Sequence, residues 1–230
     1  FNKKLSGNYK GKYWDIPTVK KTIDARQIIF DYANLRSEGS SKKLDFIDIG
    51  SRNNSLPYLL KLNQNFKPNP NYISDKKFFH ERFKYTGTDL FNVDEVEDLI
   101  VGDFCSKDFE SNLKNHKKFD VFYSNGVFEH LEKPWIAAEN IVKLSKPGSL
   151  CLLIAPFAEH YHECPVDTYR FTPYGFFCLF KDLADIKIIK SGFDIDARRF
   201  DWNGGEQPLK EDYLGAFREN WYSFIAFTIN

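Results

Sequence analysis

Short runs of apolar residues recur along the chain, and polar segments separate them. Between residues 22 and 35 the apolar side chains follow near-helical spacing, at Ile23, Ile28, Ile29, Tyr32 and Leu35. The serine-rich segment that follows, residues 37–41, predicts a loop after this helix. The pattern predicts an N-terminal helical cap over residues 1–43, ahead of the main fold.

Apolar runs of strand length then alternate with segments of helical character. The predicted strands cover residues 44–49, 83–88, 98–101, 119–124, 150–155, 186–190 and 222–229. The predicted helices cover residues 55–62, residues 135–144 and a segment that starts at Thr172 and Pro173, which suit an N-cap and a first helical position. This alternation predicts an α/β domain over residues 44–230, with a doubly wound, mostly parallel, seven-stranded sheet.

Two long stretches interrupt the alternation. Residues 63–84 are polar, contain Pro68 and Pro70, and are long for a connection within a compact α/β unit, so we expect an inserted loop that acts as a lid or a contact surface. Residues 200–221 offer only a weak helix. We therefore expect a second inserted loop there, with the last strand returning antiparallel.

Composition narrows the classes of function. The chain has 230 residues, of which 42% are apolar, and its 23 phenylalanines would supply much of the core volume. Lys+Arg and Asp+Glu both number 32, so the net charge is zero. An electrostatic nucleic-acid binder needs clustered positive charge, so nucleic acid is not an expected partner.

Signals for membrane insertion and for disulfides are weak. No apolar stretch approaches the roughly 20 residues that a membrane-spanning helix needs, and the first residues lack the apolar core of a signal peptide. The four cysteines form no CxxC pair, and two of them lie in apolar runs, which favours reduced thiols. We expect a cytoplasmic protein without membrane insertion.

Polar residues follow four predicted strands at the points where the chain leaves the sheet. They are Asp48 and Gly50, Asp89, Asp103, and Ser124 with Asn125. In a doubly wound sheet, ligands bind beyond the carboxyl ends of the strands. A carboxylate at Asp89 can accept both hydroxyls of a ribose, and Asp103 can accept from an adenine amino group while Phe104 lies against the base. Each acidic residue alone is explained equally well as a turn or helix cap.

Three segments match motifs of one known family. Residues 119–131 read FDVFYSNGVFEHL, residues 144–150 read LSKPGSL, and residues 48–54 read DIGSRNN. They resemble, in turn, the strand-four motif, the helix-to-strand-five turn and the glycine-rich first motif of class I S-adenosylmethionine-dependent methyltransferases, especially the small-molecule type. Arg52 and Asn54 occupy the second and third glycine positions of the first motif. The resemblance covers roughly residues 44–180 and implies a Rossmann-like methyltransferase fold.

The resemblance also implies contacts with S-adenosylmethionine. The Gly50 backbone would face the methionine part of this cofactor, Asp89 the ribose, Asp103 the adenine, and the Ser124 backbone the amino group. The full predicted cofactor-binding set is Asp48, Gly50, Arg52, Asp89, Leu90, Asp103, Phe104, Ser124 and Asn125. The main competitor within the fold is a dinucleotide dehydrogenase, but the G-x-G-x-x-G loop that holds a pyrophosphate is absent.

The segment after the fifth strand, residues 156–172, is dense in titratable and aromatic groups. Histidine suits removal of a hydroxyl proton at neutral pH, so we expect His162 or His160 as the base, with His130 as an alternative. Asp167 would orient a histidine and Arg170 would hold an anionic substrate, or else these two would pair to shape the loop. The titratable residues at 160–164 are too compact for common zinc spacings, so no metal is expected.

These observations lead to a hypothesis of methyl transfer from S-adenosylmethionine to an oxygen of a small polar acceptor. A Lys-, Asn-, Ile- and Phe-rich composition is typical of AT-rich microbial genomes, where similar enzymes decorate surface sugars. A sugar or surface-polysaccharide precursor is therefore a finer hypothesis. A methyltransferase-like binding or scaffold protein without turnover is an alternative, favoured by the missing loop glycines. A nucleic-acid methyltransferase is disfavoured by the neutral charge and by the absence of an Asn/Asp-Pro-Pro-Tyr/Phe motif.

Two aromatic and polar segments, residues 13–15 and 202–205, lie outside the predicted sheet. Recognition groups often lie on such loops, so these segments would cover the substrate. Equally, they would pack against the core or form the interface of a homodimer.

Overall fold

A mixed sheet of eight strands forms the centre of the part of the chain that the structure describes. The structure is a computed structural model and describes residues 19–20, 24–36, 42–51, 60–61, 68–92, 96–113, 117–159, 161–163, 165–194, 210–211, 217–218 and 221–230. The strands are β1 (Val19–Lys20), β2 (Leu44–Ile49), β3 (Phe83–Asp89), β4 (Leu99–Val101), β5 (Phe119–Asn125), β6 (Ser145–Ala158) and β7 (Ile186–Asp194), then β8 (Lys210–Glu211) and β9 (Phe217–Arg218), which form a separate pair, and β10 (Trp221–Ile229), which rejoins the sheet. The helices are α1 (Ala25–Arg36), α2 (Tyr72–Arg82), α3 (Pro134–Leu144) and α4 (Pro173–Phe180).

The order of the strands in the sheet is β1-β7-β10-β6-β5-β2-β3-β4. β2 lies between β3 and β5 and is parallel to both. β10 is antiparallel to both β6 and β7, as expected. The predicted doubly wound, mostly parallel, seven-stranded sheet is confirmed, and the two-residue β1 adds an edge strand beside β7. Because the chain order reverses between β2 and β5, a crevice forms at their carboxyl ends.

Both faces of the sheet are covered by apolar side chains. Along β2, Phe46 packs into the cluster on one face, while Ile47 and Ile49 pack into the cluster on the other. Along β5, Tyr123 belongs to the first cluster and Phe122 to the second. Burial on both faces explains why these strands read as nearly continuous apolar runs. Phenylalanine contributes to both clusters, as the composition predicted.

The helices match the predictions unevenly. α1 falls within one residue of the predicted C-terminal boundary, and its Tyr32 hydroxyl donates to the Gly148 carbonyl at 2.8 Å. The Thr172 hydroxyl accepts a hydrogen bond from the Gly175 amide at 2.9 Å, so the predicted N-cap of α4 is confirmed. The helix predicted over residues 55–62 lies almost wholly outside the described residues, as do the segments 13–15 and 202–205.

The inserted loop expected over residues 63–84 is wrong for its second half. Residues 72–82 form α2, and β3 follows at once. The segment looked like a loop because only Phe79 of the helix is buried, so no apolar stripe marks it. The Phe79 ring packs against Phe46 and Phe83, with ring centroids 5.5 and 5.0 Å away. α2 therefore packs on the core with one buried aromatic ring, where an amphipathic helix normally buries a continuous apolar stripe.

The strand predicted from residue 150 begins earlier, at Ser145, directly after α3. The Lys-Pro-Gly sequence ends the helix as expected, but it lies within β6. Lys146 Nζ contacts Asp45 and Asp120 carboxylate oxygens, both at 2.7 Å. This ion-paired contact holds the start of β6 against the starts of β2 and β5, at the end of the sheet opposite the crevice.

No helix among the described ranges combines the length and the apolar character that crossing a bilayer requires.

Replacing Phe79 with alanine tests the packing of α2. We expect Phe79→Ala to lower the free energy of unfolding by about 3–5 kcal/mol, because it removes a buried ring from a filled core. Ile73→Ala on the same helix is the matched control, since Ile73 is 84% exposed, and we expect a change within about 0.5 kcal/mol. Urea denaturation followed by circular dichroism measures both. Equal effects of the two substitutions would contradict the packing of α2 described above.

Candidate functional site

A cavity of about 690 Å³ lies at the carboxyl ends of the parallel strands. It is lined by one residue from each of the four strand ends singled out in the sequence: Gly50, Asp89, Asp103 and Asn125. Of the other predicted site residues, Leu90, Phe104, His130 and His162 also line it. The strand-end pattern therefore predicted which residues line this cavity.

Gly50 brings two loops of the cavity into close contact. Its φ of +72° is a conformation that residues with side chains rarely adopt, and a Cβ built there would lie 2.3 Å from Val127 Cγ2. The Gly50 and Ser51 amides both donate to the Thr88 carbonyl, each at 2.9 Å. A backbone without a side chain is thus required at the point where the turn after β2 meets both the end of β3 and the turn after β5.

Asp89 and Asp103 each order their own loop while lining the cavity. Asp89 Oδ1 accepts from the Phe91 amide at 3.2 Å, and Asp103 Oδ1 accepts from the Cys105 amide at 2.8 Å. The turn-cap explanation and the ligand-binding explanation are therefore compatible. A carboxylate has two oxygens with about four acceptor positions, so each residue retains capacity for a ligand hydroxyl or amino group.

Hydrogen bonds from α3 hold the loop that carries Asp103. Asn140 Nδ2 donates to the Phe104 and Ser106 carbonyls, both at 2.8 Å, and Asn140 itself is buried. The buried Phe104 ring packs on Phe109, with ring centroids 4.6 Å apart. A buried amide that satisfies two loop carbonyls gives this side of the cavity a defined shape.

Two of the predicted cofactor-binding residues, Asp48 and Ser124, are not among the residues that line the cavity. The Asp48 carboxylate is 1% exposed and accepts a hydrogen bond from the Tyr85 hydroxyl at 3.0 Å, instead of lining the cavity. Burial and the neighbouring Asp48 charge both raise the pKa of Tyr85, which keeps the phenol protonated as the donor. Ser124 is fully buried within β5, and the cavity begins one residue later. Arg52 and His160 lie outside the described residues.

Three titratable side chains meet at one wall of the cavity. Glu129 and His130 belong to a short 3₁₀ turn after β5 (Phe128–His130), and His162 comes from the segment after β6. The His130 and His162 rings are perpendicular, with centroids 5.0 Å apart. His130 Nε2 lies 3.7 Å from Glu129 Oε1. A stretch of 31 residues separates the two histidines, so only the fold brings them together.

The two nitrogens of His130 have different surroundings. Nδ1 lies 2.5 Å from the Val166 carbonyl oxygen, to which only a protonated Nδ1 can donate. Burial lowers the pKa of His130, and the adjacent His162 lowers it further, although the Val166 carbonyl opposes these effects. The ring is therefore neutral at pH 7, with its hydrogen on Nδ1 and a lone pair on Nε2.

Asp167 and Arg170 pair with each other, which is the second of the two alternatives stated above. The Arg170 guanidinium donates to both Asp167 oxygens, at 2.5 and 2.8 Å. Burial would raise the pKa of Asp167, but hydrogen bonds from Arg170 and from the His162 amide lower it below its usual value. Asp167 Oδ2 also accepts a hydrogen bond from the His162 amide at 2.7 Å, so the pair positions the backbone of this histidine.

Backbone hydrogen bonds fasten the segment after β6 onto the 3₁₀ turn. The Thr168 and Tyr169 amides both donate to the Glu129 carbonyl, at 2.7 and 3.0 Å. At the other side of the cavity, the Tyr222 hydroxyl donates to Glu159 Oε2 at 2.7 Å. Glu129, Glu159 and Tyr222 are functional candidates that the sequence reasoning missed. Glu129 adjoins His130 within a recognised motif, whereas nothing in the sequence around Tyr222 signals its position.

Comparisons with known proteins agree with this geometry. A sequence profile described as "Methyltransferase domain" matches residues 80–153, which contain the ends of β3, β4 and β5. This part of the chain is therefore similar to methyltransferase domains. The cavity lies at the edge of the sheet where a doubly wound fold binds its ligands. No sequence among curated proteins matches the chain.

Solved structures share the fold of this methyltransferase domain at low sequence identity. TehB from Haemophilus influenzae superposes with a TM-score of 0.50 and 12% identity, over 89% of this chain and 62% of TehB. The 4+2 cyclase SpnF superposes with a TM-score of 0.52 and 11% identity, over 94% of this chain and 85% of SpnF. Magnesium protoporphyrin IX methyltransferase from Synechocystis, with bound S-adenosylmethionine, has a TM-score of 0.47 and 11% identity, over 89% of this chain and 79% of that one. At such identities the likeness to TehB and SpnF establishes the fold alone.

Substituting Gly50 tests the close contact at the centre of the site. We expect Gly50→Ala to lower the free energy of unfolding by about 2–4 kcal/mol, since it combines a strained φ with a clash against Val127. Gly175→Ala is the control, because a Cβ there meets Thr172 Oγ1 at an ordinary 3.4 Å and Gly175 lies in α4. Urea denaturation compares them. A Gly50→Ala protein as stable as Gly175→Ala would show that the two loops do not need this contact.

Proposed function

We propose that this chain transfers a methyl group from S-adenosylmethionine to an oxygen of a small polar acceptor. The observation that carries the proposal is a single cavity that combines two different walls. One wall has Gly50, Asp89 and Asp103 at the strand ends, and the other has the histidine and glutamate side chains after β5 and β6. The first wall suits a nucleoside cofactor, and the second suits activation of a hydroxyl group.

The residues on the first wall fit the chemistry of S-adenosylmethionine. Two acceptor carboxylates at the ends of β3 and β4 match the ribose hydroxyls and the adenine amino group. Gly50 lines the cavity and carries no side chain, so a methionine chain can lie close to its backbone. We propose Asp89 as the ribose ligand, Asp103 as the adenine ligand, and Gly50 and Asn125 as neighbours of the methionine part.

The second wall supplies the acceptor chemistry. When bound, S-adenosylmethionine supplies a methyl group on a sulfonium, and its transfer to an acceptor oxygen requires the hydroxyl proton to leave. His130 presents a neutral imidazole whose Nε2 can take that proton, because Nδ1 already donates to the Val166 carbonyl. His162 lines the same wall and is the base that the sequence favoured, so it is tested first. Alignment of the two reactants in the cavity would contribute much of the rate.

A hydroxyl-rich acceptor fits the remaining lining. Glu132 and Lys133 line the same cavity as the Glu159–Tyr222 pair, so several groups there can exchange hydrogen bonds with a sugar. We therefore propose a sugar or surface-polysaccharide precursor as the acceptor class. A cytoplasmic location and a homodimeric state stay predictions from the sequence.

Binding of the cofactor is tested by an isosteric change at Asp89. Asp89→Asn keeps an oxygen for the Phe91 amide but replaces a ribose acceptor with a donor. We expect S-adenosylmethionine to bind about fivefold more weakly or worse, a loss of about 1 kcal/mol or more. Isothermal titration calorimetry measures it, with Asp31→Asn on the exposed side of α1 as control. Unchanged affinity would show that Asp89 is not part of the cofactor site. Failure of the wild-type protein to bind S-adenosylmethionine at millimolar concentration would overturn the proposed methyltransferase activity.

The role of the second wall is tested separately. We expect His162→Ala to reduce formation of S-adenosylhomocysteine at least about 100-fold, while cofactor affinity stays within about twofold. The assay uses a panel of nucleotide-activated sugars and mass spectrometry of both products. His80→Ala, an exposed histidine on α2, is the control. Full activity of His162→Ala would show that His162 is not the base. His130 would then remove the hydroxyl proton, or the acceptor would need no base.

A further inference from the structure

The cluster of Glu129, His130 and His162 has the composition of a metal site. Each residue offers one ligand atom, and the three atoms lie within 4.8 Å of one another. We infer that these three side chains bind a divalent transition-metal cation at the wall of the cavity. The sequence pointed away from a metal, because the compact group at residues 160–164 has no suitable spacing. The fold instead joins His162 to a glutamate and a histidine more than 30 residues earlier.

The spacing is close to what coordination needs. His130 Nε2 and Glu129 Oε1 are 3.7 Å apart. Two ligands that each lie about 2.1 Å from a tetrahedral metal are about 3.4 Å apart. A movement of a few tenths of an ångström would bring these two atoms into a coordination shell. His130 and Glu129 are consecutive residues of one short turn, so no rearrangement of the fold is involved.

His130 is held in the way that metal-binding histidines usually are. A ligating imidazole normally donates its second nitrogen to a backbone carbonyl or a carboxylate, which fixes its tautomer and its direction. His130 Nδ1 lies 2.5 Å from the Val166 carbonyl, so Nε2, which lies 3.7 Å from Glu129 Oε1, takes the coordination role. His162 is placed through its backbone, because its amide donates to Asp167 Oδ2 at 2.7 Å and Arg170 anchors Asp167 through both carboxylate oxygens.

The donor set selects the kind of cation. Two imidazoles with one carboxylate suit Zn²⁺, Co²⁺, Fe²⁺ and Mn²⁺, whereas Mg²⁺ and Ca²⁺ prefer oxygen ligands alone. Glu129 is 1% exposed, and a buried carboxylate is stabilised by a cation at bonding distance. Three protein ligands leave coordination positions open, and His130, His162 and Glu129 all line the cavity from which a ligand would enter.

The consequence for catalysis rests on the proposed function, whereas cation binding does not. A cation with an open position would coordinate the acceptor oxygen and lower the pKa of its hydroxyl group. The hydroxyl proton would pass to water, and the oxygen would keep the electron pair that forms the new carbon–oxygen bond. In that case His130 and His162 act as ligands instead of bases.

Cobalt provides a direct test, because its visible absorption reports histidine coordination. Full-length protein without an affinity tag is stripped with a chelator, dialysed and titrated with CoCl₂, and ZnCl₂ binding is measured by calorimetry. We expect one cation per chain at this site. Glu129→Gln, His130→Ala and His162→Ala should each weaken binding at least about 100-fold, more than changes outside the coordination shell usually cause. His80→Ala should bind as wild type does, and MgCl₂ should not displace cobalt.

Two measurements keep the outcome interpretable. Circular dichroism shows whether each variant is folded, and His162→Ala is the least disruptive, because the side chain is 26% exposed. Failure of folded wild type to bind cobalt at millimolar concentration would overturn the inference, and so would unchanged affinity in folded His162→Ala. Calorimetry with S-adenosylmethionine is run in parallel. Cofactor binding without cobalt binding rejects the cation site alone, and cobalt binding without cofactor binding rejects the proposed function alone.

Discussion

The candidate site depends on the close approach of two turns at Gly50. The turn after β2 can pass the turn after β5 only because residue 50 has no side chain, since a Cβ would lie 2.3 Å from Val127. Val127 leads directly into the 3₁₀ turn that carries Glu129 and His130. The Glu129 carbonyl in turn accepts the two amides that position the segment containing His162. The lack of a side chain at Gly50 therefore affects the strand-end wall of the cavity and, through these contacts, the wall that carries the histidines.

The two walls differ in how their charges are arranged. At the strand ends, Asp89 and Asp103 each engage one neighbouring amide and still present acceptor capacity to the cavity. At the other wall, Arg170 balances the charge of Asp167, and Asp167 also accepts a hydrogen bond from the His162 amide. Fixed polar groups of this kind need little reorganisation when a ligand binds, which is the physical basis of catalysis by preorganised sites. The histidines and Glu129 lie between these two sets of fixed groups, at the wall of the cavity.

Much of the fold could be predicted because the signals were local. β2, β3, β5 and the helix α3 fall within about two residues of their predicted bounds, since buried parallel strands and a Lys-Pro-Gly helix stop are written in consecutive residues. α2 was missed because only one of its side chains, Phe79, is buried, where it packs on Phe46 and Phe83. Asp48 was placed at the cofactor because strand ends carry ligands, yet its carboxylate faces the Tyr85 hydroxyl. Successive side chains of a strand point to opposite faces of the sheet, so a difference of one position decides which way a carboxylate points.

By itself the sequence determined the sheet and the edge of the sheet at which the cavity lies, because strand ends and turn residues follow from local pattern, and its motifs led to the proposed class of cofactor. Only the tertiary structure decided which side chains meet. His130 and His162 become neighbours because the turn after β5 and the segment after β6 leave two adjacent parallel strands at the same edge of the sheet. Tyr222 reaches Glu159 because β10 returns antiparallel beside β6. Contacts between residues distant in sequence depend on the path of the chain between them, and no local pattern encodes that path.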